Sequence, residues 1–84
     1  MQVKYYKSIF CPFCPHAKRL LLKLSERYNF EFEEIDVTLK FDIVRKKDIL
    51  GVPTIEIGDE RIVGMPKEKE LEKLILKELR IDET

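Results

Sequence analysis

The stretch VKYYKSIFCPFCPHAKRLLLKLSERYN, residues 3–29, contains a strand-like segment, both cysteines of the chain and a helix-like segment, in that order. Val3, Tyr5 and Tyr6 suit a strand over residues 2–7. From residue 12 to 28, Ala17, Leu20, Leu21, Leu24 and Tyr28 recur with the spacing of one helix face. Asn29 is placed to end that helix in the left-handed cap position. Residues 32–37 read as a second strand with Ile35 and Val37 on one face. Strand, helix and strand ask for a parallel pair joined by a right-handed crossover. Further on, Phe41, Ile43 and Val44 give a modest helical pattern over 39–47. Residues 54–57 read as a strand, Gly58-Asp59 as a tight turn and 61–63 as its antiparallel partner. The last element spans 66–79, with Pro66 at the first helical position and a stripe of Leu71, Leu74, Ile75 and Leu79. The order β-α-β-α-β-β-α implies an α/β fold: a four-stranded mixed sheet with three helices on its two faces.

Composition bounds the function. At 84 residues the chain is expected to form a single domain, residues 1–84. Sixteen basic residues balance sixteen acidic ones, which argues against a binder of nucleic acid or of an anionic membrane. The longest aliphatic run, Leu20-Leu21-Leu22, is far short of the roughly 18 residues that a membrane span needs. A charged strand-like segment begins at Lys4, unlike the basic-then-apolar order of a secretory leader, so a cytoplasmic location and a monomer are expected. Glu and Lys occur eleven times each, Asn and Gln once each, a bias typical of proteins from hot environments.

Cys11-Pro12-Phe13-Cys14 lies between the first strand and the first helix. A helix starting at Pro12 puts Cys11 at or beside its N-cap, where free backbone N–H groups and the helix dipole favour a thiolate. The spacing lets Cys14 close a disulfide on Cys11. A loop of about four residues stabilises a fold by only about 2 kcal/mol in the chain-entropy model, so a reversible redox pair explains the motif better than a staple does. Pro15, near the fourth helical position, removes a donor for the Cys11 carbonyl and is expected to loosen or kink the helix start. Phe10 and Phe13 flank the thiols and either shield them or pack against the sheet edge. His16, the only histidine, points about 140° away from Cys11 around the helix, which favours a solvated side chain. Lys18 and Lys7 are read mainly as surface lysines, each able to add positive potential near the thiols.

With Cys11-Pro12-Phe13-Cys14 at one boundary and Gly51-Val52-Pro53-Thr54 at the start of the third strand, the sequence resembles the thioredoxin/glutaredoxin superfamily, in its short glutaredoxin-like branch. The pattern differs by one aromatic exchange from the Cys-Pro-Tyr-Cys typical of glutaredoxins, and the order of elements matches along essentially the whole chain. The resemblance implies a thiol–disulfide oxidoreductase with no bound cofactor. Cys11 would be the attacking thiolate and Cys14 the resolving thiol, the two forming the redox-active disulfide. Pro53 would be a cis-proline, with the Val52 backbone turned outward to pair with an extended substrate. Phe13 joins Val52 and Pro53 as a substrate-binding residue. The implied partners are disulfide-containing client proteins and a thioredoxin-reductase-like electron donor.

Departures from the family pattern bear on substrate. Glutathione-using members commonly carry Gly-Gly and acidic residues before the last helix, and here Val63-Gly64-Met65-Pro66-Lys67 stands in their place. The family's lysine three residues before the first cysteine is Ser8. Both changes weaken a glutathione site, so protein disulfides are favoured and a glutathione-dependent glutaredoxin is the alternative. A thiolate metal-handling protein is a more distant rival, because soft thiolates suit Cu(I). Its usual order ends in a strand, whereas this chain ends in a helix. A zinc site fails on ligand count, and a glutathione-dependent iron–sulfur carrier inherits the weak glutathione site. Lys69, Lys73 and Lys77 are read as a solvated helix face. Leu76 and Ile81 lie off the apolar stripe and are read as scattered surface residues.

Overall fold

The computed structural model describes residues 2–83, with side chains described through residue 80. The alternating strand β1 (Val3–Lys7) lies inside the sheet, whose order is β2-β1-β3-β4. On one side it pairs in parallel with β2 (Glu33–Asp36), Tyr5 facing Glu34 and Tyr6 facing Ile35. On the other it pairs antiparallel with β3 (Thr54–Ile57), Tyr6 facing Thr54. The Gly58-Asp59 turn, with Gly58 at φ 58°, returns the chain into β4 (Glu60–Val63). A positive φ there favours glycine because it has no Cβ to clash.

Strand alternation divides the core in two. Val3, Tyr5, Ile55, Ile57 and Ile62 join one cluster, covered by α1 (Cys14–Tyr28) and α3 (Glu68–Glu83) through Cys14, Ala17, Leu21 and Leu24 and through Leu71 and Ile75. Leu74 and Leu79 pack around that cluster, as the sequence stripe implies. The two helices are also joined across their exposed sides: Arg27 donates to Glu72 at 2.7 Å and the Tyr28 hydroxyl to the same carboxylate at 2.8 Å. Tyr6, Val37 and Ile49 form the smaller cluster on the opposite face, under α2 (Phe41–Lys46). Helix α2 contributes no fully buried residue, only the half-buried Ile43 and Val44. Arg61 of β4 holds its C-terminal end, donating to the carbonyls of Asp48 and Lys47 at 2.8 and 2.9 Å and to Glu56 at 2.7 Å.

Several boundaries differ from the sequence reading. Helix α1 begins at Cys14 rather than residue 12, its first bond running from the Ala17 N–H to the Phe13 carbonyl. Pro15 has no N–H to give to the Cys11 carbonyl, so a turn starting at Pro12 loses the bond that would begin it. Pro15 therefore sits in the first helical turn, where its missing donor costs nothing, and the expected loosening is replaced by a later start. Asn29 is the left-handed cap, at φ 55°. The second helix begins at Phe41 rather than residue 39; Leu39 is left-handed at φ 58°, and both Leu39 and Phe41 are exposed. Helix α3 starts at Glu68, leaving Pro66 buried two residues ahead of it. Leu76 is exposed, while Ile81 lies outside the described side chains. Among the described residues, no helix is long and apolar enough to cross a membrane.

Candidate active site

Both cysteines lie where β1 gives way to α1, and this junction is tied to the neighbouring loop. The Cys11 N–H donates to the Ser8 carbonyl at 3.1 Å, closing a turn over residues 8–11. The Ile9 N–H reaches the Thr38 hydroxyl at 3.0 Å, and that hydroxyl meets Ser8 Oγ at 3.4 Å. Pairing of β1 with the chain after β2 continues one residue further, from the Val37 N–H to the Lys7 carbonyl at 2.8 Å. The loop that presents Cys11 is thus anchored to two strands.

The thiols are free and unequal. Cys11 is half-buried in the loop, two residues ahead of the Phe13 N-cap, because the helix starts further along the chain than its sequence implies. Cys14 is the first residue of α1 and only 4% exposed. Burial pushes the Cys14 thiol above the usual cysteine range, and its hydrogen bond with Cys11 pushes the same way. A Ser8 backbone group and the Tyr5 hydroxyl partly oppose that rise. Tyr5 also donates to the Cys14 carbonyl, at 2.7 Å in a buried setting.

A cleft of about 250 Å³ opens onto both sulfurs. Tyr5 and Ser8 line it, with Lys7 and Lys18 converging on Glu34 at 2.7 and 3.1 Å. The Lys7 ammonium, then that of Lys18, holds the Glu34 carboxyl below its ordinary range, with burial opposing. From sequence alone Lys7 and Lys18 read mainly as surface lysines, and neither Glu34 nor Tyr5 stands out as a neighbour of the thiols. Strand alternation carries the missing signal: Tyr5 and Lys7 share a face, and the parallel register sets Glu34 beside Tyr5. His16 does not line the cleft. Among the described residues, no group of three or more His, Cys, Asp or Glu side chains is arranged to hold a metal ion.

Pro15 also lines this cleft, whereas Phe10, Phe13, Val52 and Pro53 lie outside it. The Val52–Pro53 peptide is cis and Pro53 is buried. Val52 packs against both core clusters, one of which contains Cys14. Among the described residues, neither the Val52 N–H nor its carbonyl has a hydrogen-bond partner. Phe10 and Phe13 are 76% and 49% exposed, so packing against the sheet edge does not account for them. They belong to a wider pattern. Ile9, Phe10, Phe13, Leu39, Phe41, Val63 and Met65, seven of the ten large exposed apolar residues described, sit at the end of the sheet where β1 stops. Together they give that end of the sheet an apolar rim.

Residues 3–62, from β1 into β4, match the family model described as Glutaredoxin. The chain belongs to the glutaredoxin family. Among relatives of this glutaredoxin-family chain, a thioredoxin from Methanocaldococcus jannaschii is 32% identical over 82 residues, covering 94% of this chain and 96% of its own. A probable thioredoxin from Archaeoglobus fulgidus is 30% identical over 80 residues, covering 92% and 88%. The fold of thioredoxin 1 from Thermosipho africanus TCF52B matches with a TM-score of 0.83 at 22% identity over the whole of both chains. Membership in the family, with two thiols in one C-x-x-C, makes the chain a thiol–disulfide oxidoreductase whose partners are disulfide-containing client proteins.

Proposed function

We propose that this protein reduces protein disulfides by dithiol exchange, with Cys11 attacking and Cys14 resolving. Cys11 is the more accessible sulfur and Cys14 the buried one beside it, which is the asymmetry such a division of labour needs. The observation that carries the choice of substrate is the apolar rim at the end of the sheet where β1 gives way to the Cys11 loop. A folded client can cover it and gain from the burial, whereas a tripeptide such as glutathione covers little of it.

Val52, Pro53 and Phe13 are the substrate-binding residues in this reading. The unpartnered Val52 amide groups suit pairing with an extended client segment, and Phe13 offers apolar contact beside the sulfurs. Two features count against a glutathione site. Pro66 has no N–H to offer, and the Gly64 N–H is already donated to the Pro53 carbonyl at 2.8 Å. A thioredoxin-reductase-like protein, itself a disulfide partner, is the proposed electron donor.

The test is a mass-resolved redox titration in a dithiol buffer and again in a glutathione buffer. Reversible loss of two hydrogens confined to Cys11 and Cys14, with no glutathione adduct accumulating, is the expected result. An adduct that builds up on Cys11 overturns the choice of protein clients in favour of glutathione. A disulfide that forms at no accessible potential overturns the redox reading itself.

A further inference from the structure

The Tyr5 ring is 1% exposed and meets Phe32 edge-on, with centroids 6.5 Å apart. Phenylalanine would fill that space as well. The hydroxyl is the part that packing leaves unexplained. It donates to the Cys14 carbonyl at 2.7 Å, but a carbonyl in the first turn of α1 already serves the helix's own ladder. The hydroxyl is thus held against the same residue whose thiol it joins in lining the cleft. A charged sulfur accepts more strongly than a neutral carbonyl that is already engaged, so ionisation of Cys14 redirects the donor.

We propose that Tyr5 is a catalytic residue of the exchange reaction: its hydroxyl donates to the Cys14 thiolate as that sulfur attacks the bond between Cys11 and a client. The inference rests on Cys14 being the resolving thiol. In this step the Cys14 thiol releases its proton to solvent through the cleft. Its Sγ then bonds to Cys11 Sγ as the bond from Cys11 to the client sulfur breaks. The electron pair leaves on the client sulfur, which takes up a proton from water. Cys11 and Cys14 are oxidised by two electrons in all, and the client disulfide is reduced.

Tyr5 keeps its own proton throughout. Burial, then the hydrogen bond with Cys14, raises the phenol well above its ordinary value of 10.0, so it remains a donor wherever the protein works. The other titratable groups lining the cleft are Cys11, Lys7, Lys18 and Glu34. All four are present in a Tyr5 variant, which isolates the hydroxyl.

Stopped-flow reaction with Ellman's disulfide separates the two steps, since attack by Cys11 releases one thionitrobenzoate and resolution by Cys14 the second. In Tyr5→Phe the pH midpoint of the second release rises by about one unit. At neutral pH that release slows about threefold, because a tenfold loss of thiolate is partly offset by the greater nucleophilicity of a more basic sulfur. Above both midpoints the variant overtakes the wild type by about threefold, a crossover that simple loosening of the fold does not produce. The first release, followed in a Cys14→Ser background, is unchanged. Placing 3-fluorotyrosine at position 5, a stronger donor of the same shape, moves the midpoint the other way and decides the matter should Tyr5→Phe fold poorly. A wild-type midpoint in both variants, or a loss of equal size at every pH, overturns the inference while leaving dithiol exchange intact. A wild-type protein with no second release overturns dithiol exchange and this inference with it.

Discussion

Leu21→Ala tests the way α1, the helix that carries Cys14, is attached to the sheet. Leu21 is fully buried on a stripe with Cys14, Ala17 and Leu24. Its cluster includes Val3, Tyr5, Ile55 and Ile57, which are fixed by strand pairing and cannot move in to fill a void. Loss of three carbons' worth of transfer energy, plus an uncollapsed cavity, costs about 3–4 kcal/mol, the middle of the range for Leu→Ala. A domain of this length has a total stability of about 4–13 kcal/mol, so the loss is about a quarter of it or more. At about 4–8 °C per kcal/mol the melting point falls by about 12–32 °C. Urea unfolding, with excess dithiothreitol keeping both thiols reduced, should show a lower midpoint with an unchanged slope. Leu22→Ala is the internal control. Leu22 is 44% exposed on the neighbouring face and should cost less than about 1 kcal/mol. Equal losses at the two positions, or a loss below about 1 kcal/mol at Leu21, would refute the assigned helix face.

Other perturbations address the site and its surroundings. Cys11→Ser should abolish disulfide exchange, while Cys14→Ser should accumulate mixed disulfides visible by mass; full dithiol activity in Cys11→Ser contradicts its role as nucleophile. Glu34→Gln removes the partner of Lys7 and Lys18 and should lower stability by no more than about 1 kcal/mol, since the pair is partly solvated. Because the folded carboxyl titrates below its ordinary 4.5, that difference is fully present above pH 4.5 and is lost as pH falls through the folded value. Urea midpoints from pH 6 down to pH 3 should converge for the two proteins; a gap that persists at pH 3 rules out the ion pair as its source. Arg61→Ala frees the carbonyls of Lys47 and Asp48. Hydrogen exchange at the Lys47 and Ile49 amides, which bond back into α2, should then quicken about tenfold or more relative to the α1 amides, and uniform exchange would show that α2 needs no such tie.

Much of this architecture is legible in the sequence because period and punctuation agree. The stripes of α1 and α3, the Asn29 cap and the Gly58-Asp59 hairpin each rest on a local rule that tertiary packing did not override. The start of α1 is different. One proline at Pro12 invites a helix and another at Pro15 denies it its first bond, and the conflict is resolved only once the loop is pinned to Ser8 and Thr38. Phe41 fits a helical period yet faces solvent, since a period locates a face without saying whether anything covers it. Cys11 and Cys14 are evident as a pair from their spacing. Tyr5 and Glu34 become neighbours of the thiols only when β1 and β2 are laid side by side in register.

The two faces of the sheet are built to different depths. The face bearing Cys14 is sealed by two long helices that also grip one another, whereas the opposite face carries six residues of helix with no side chain fully inside. Detaching α2 exposes little apolar surface, so it can open locally at a fraction of the cost of unfolding the whole molecule. Phe41 and its neighbour Leu39, both part of the apolar rim, ride on this softer layer, while the sulfurs ride on the harder one. The part of the rim at Leu39 and Phe41 is therefore mechanically separate from the layer that packs Cys14, so movement at α2 leaves the seating of that sulfur undisturbed.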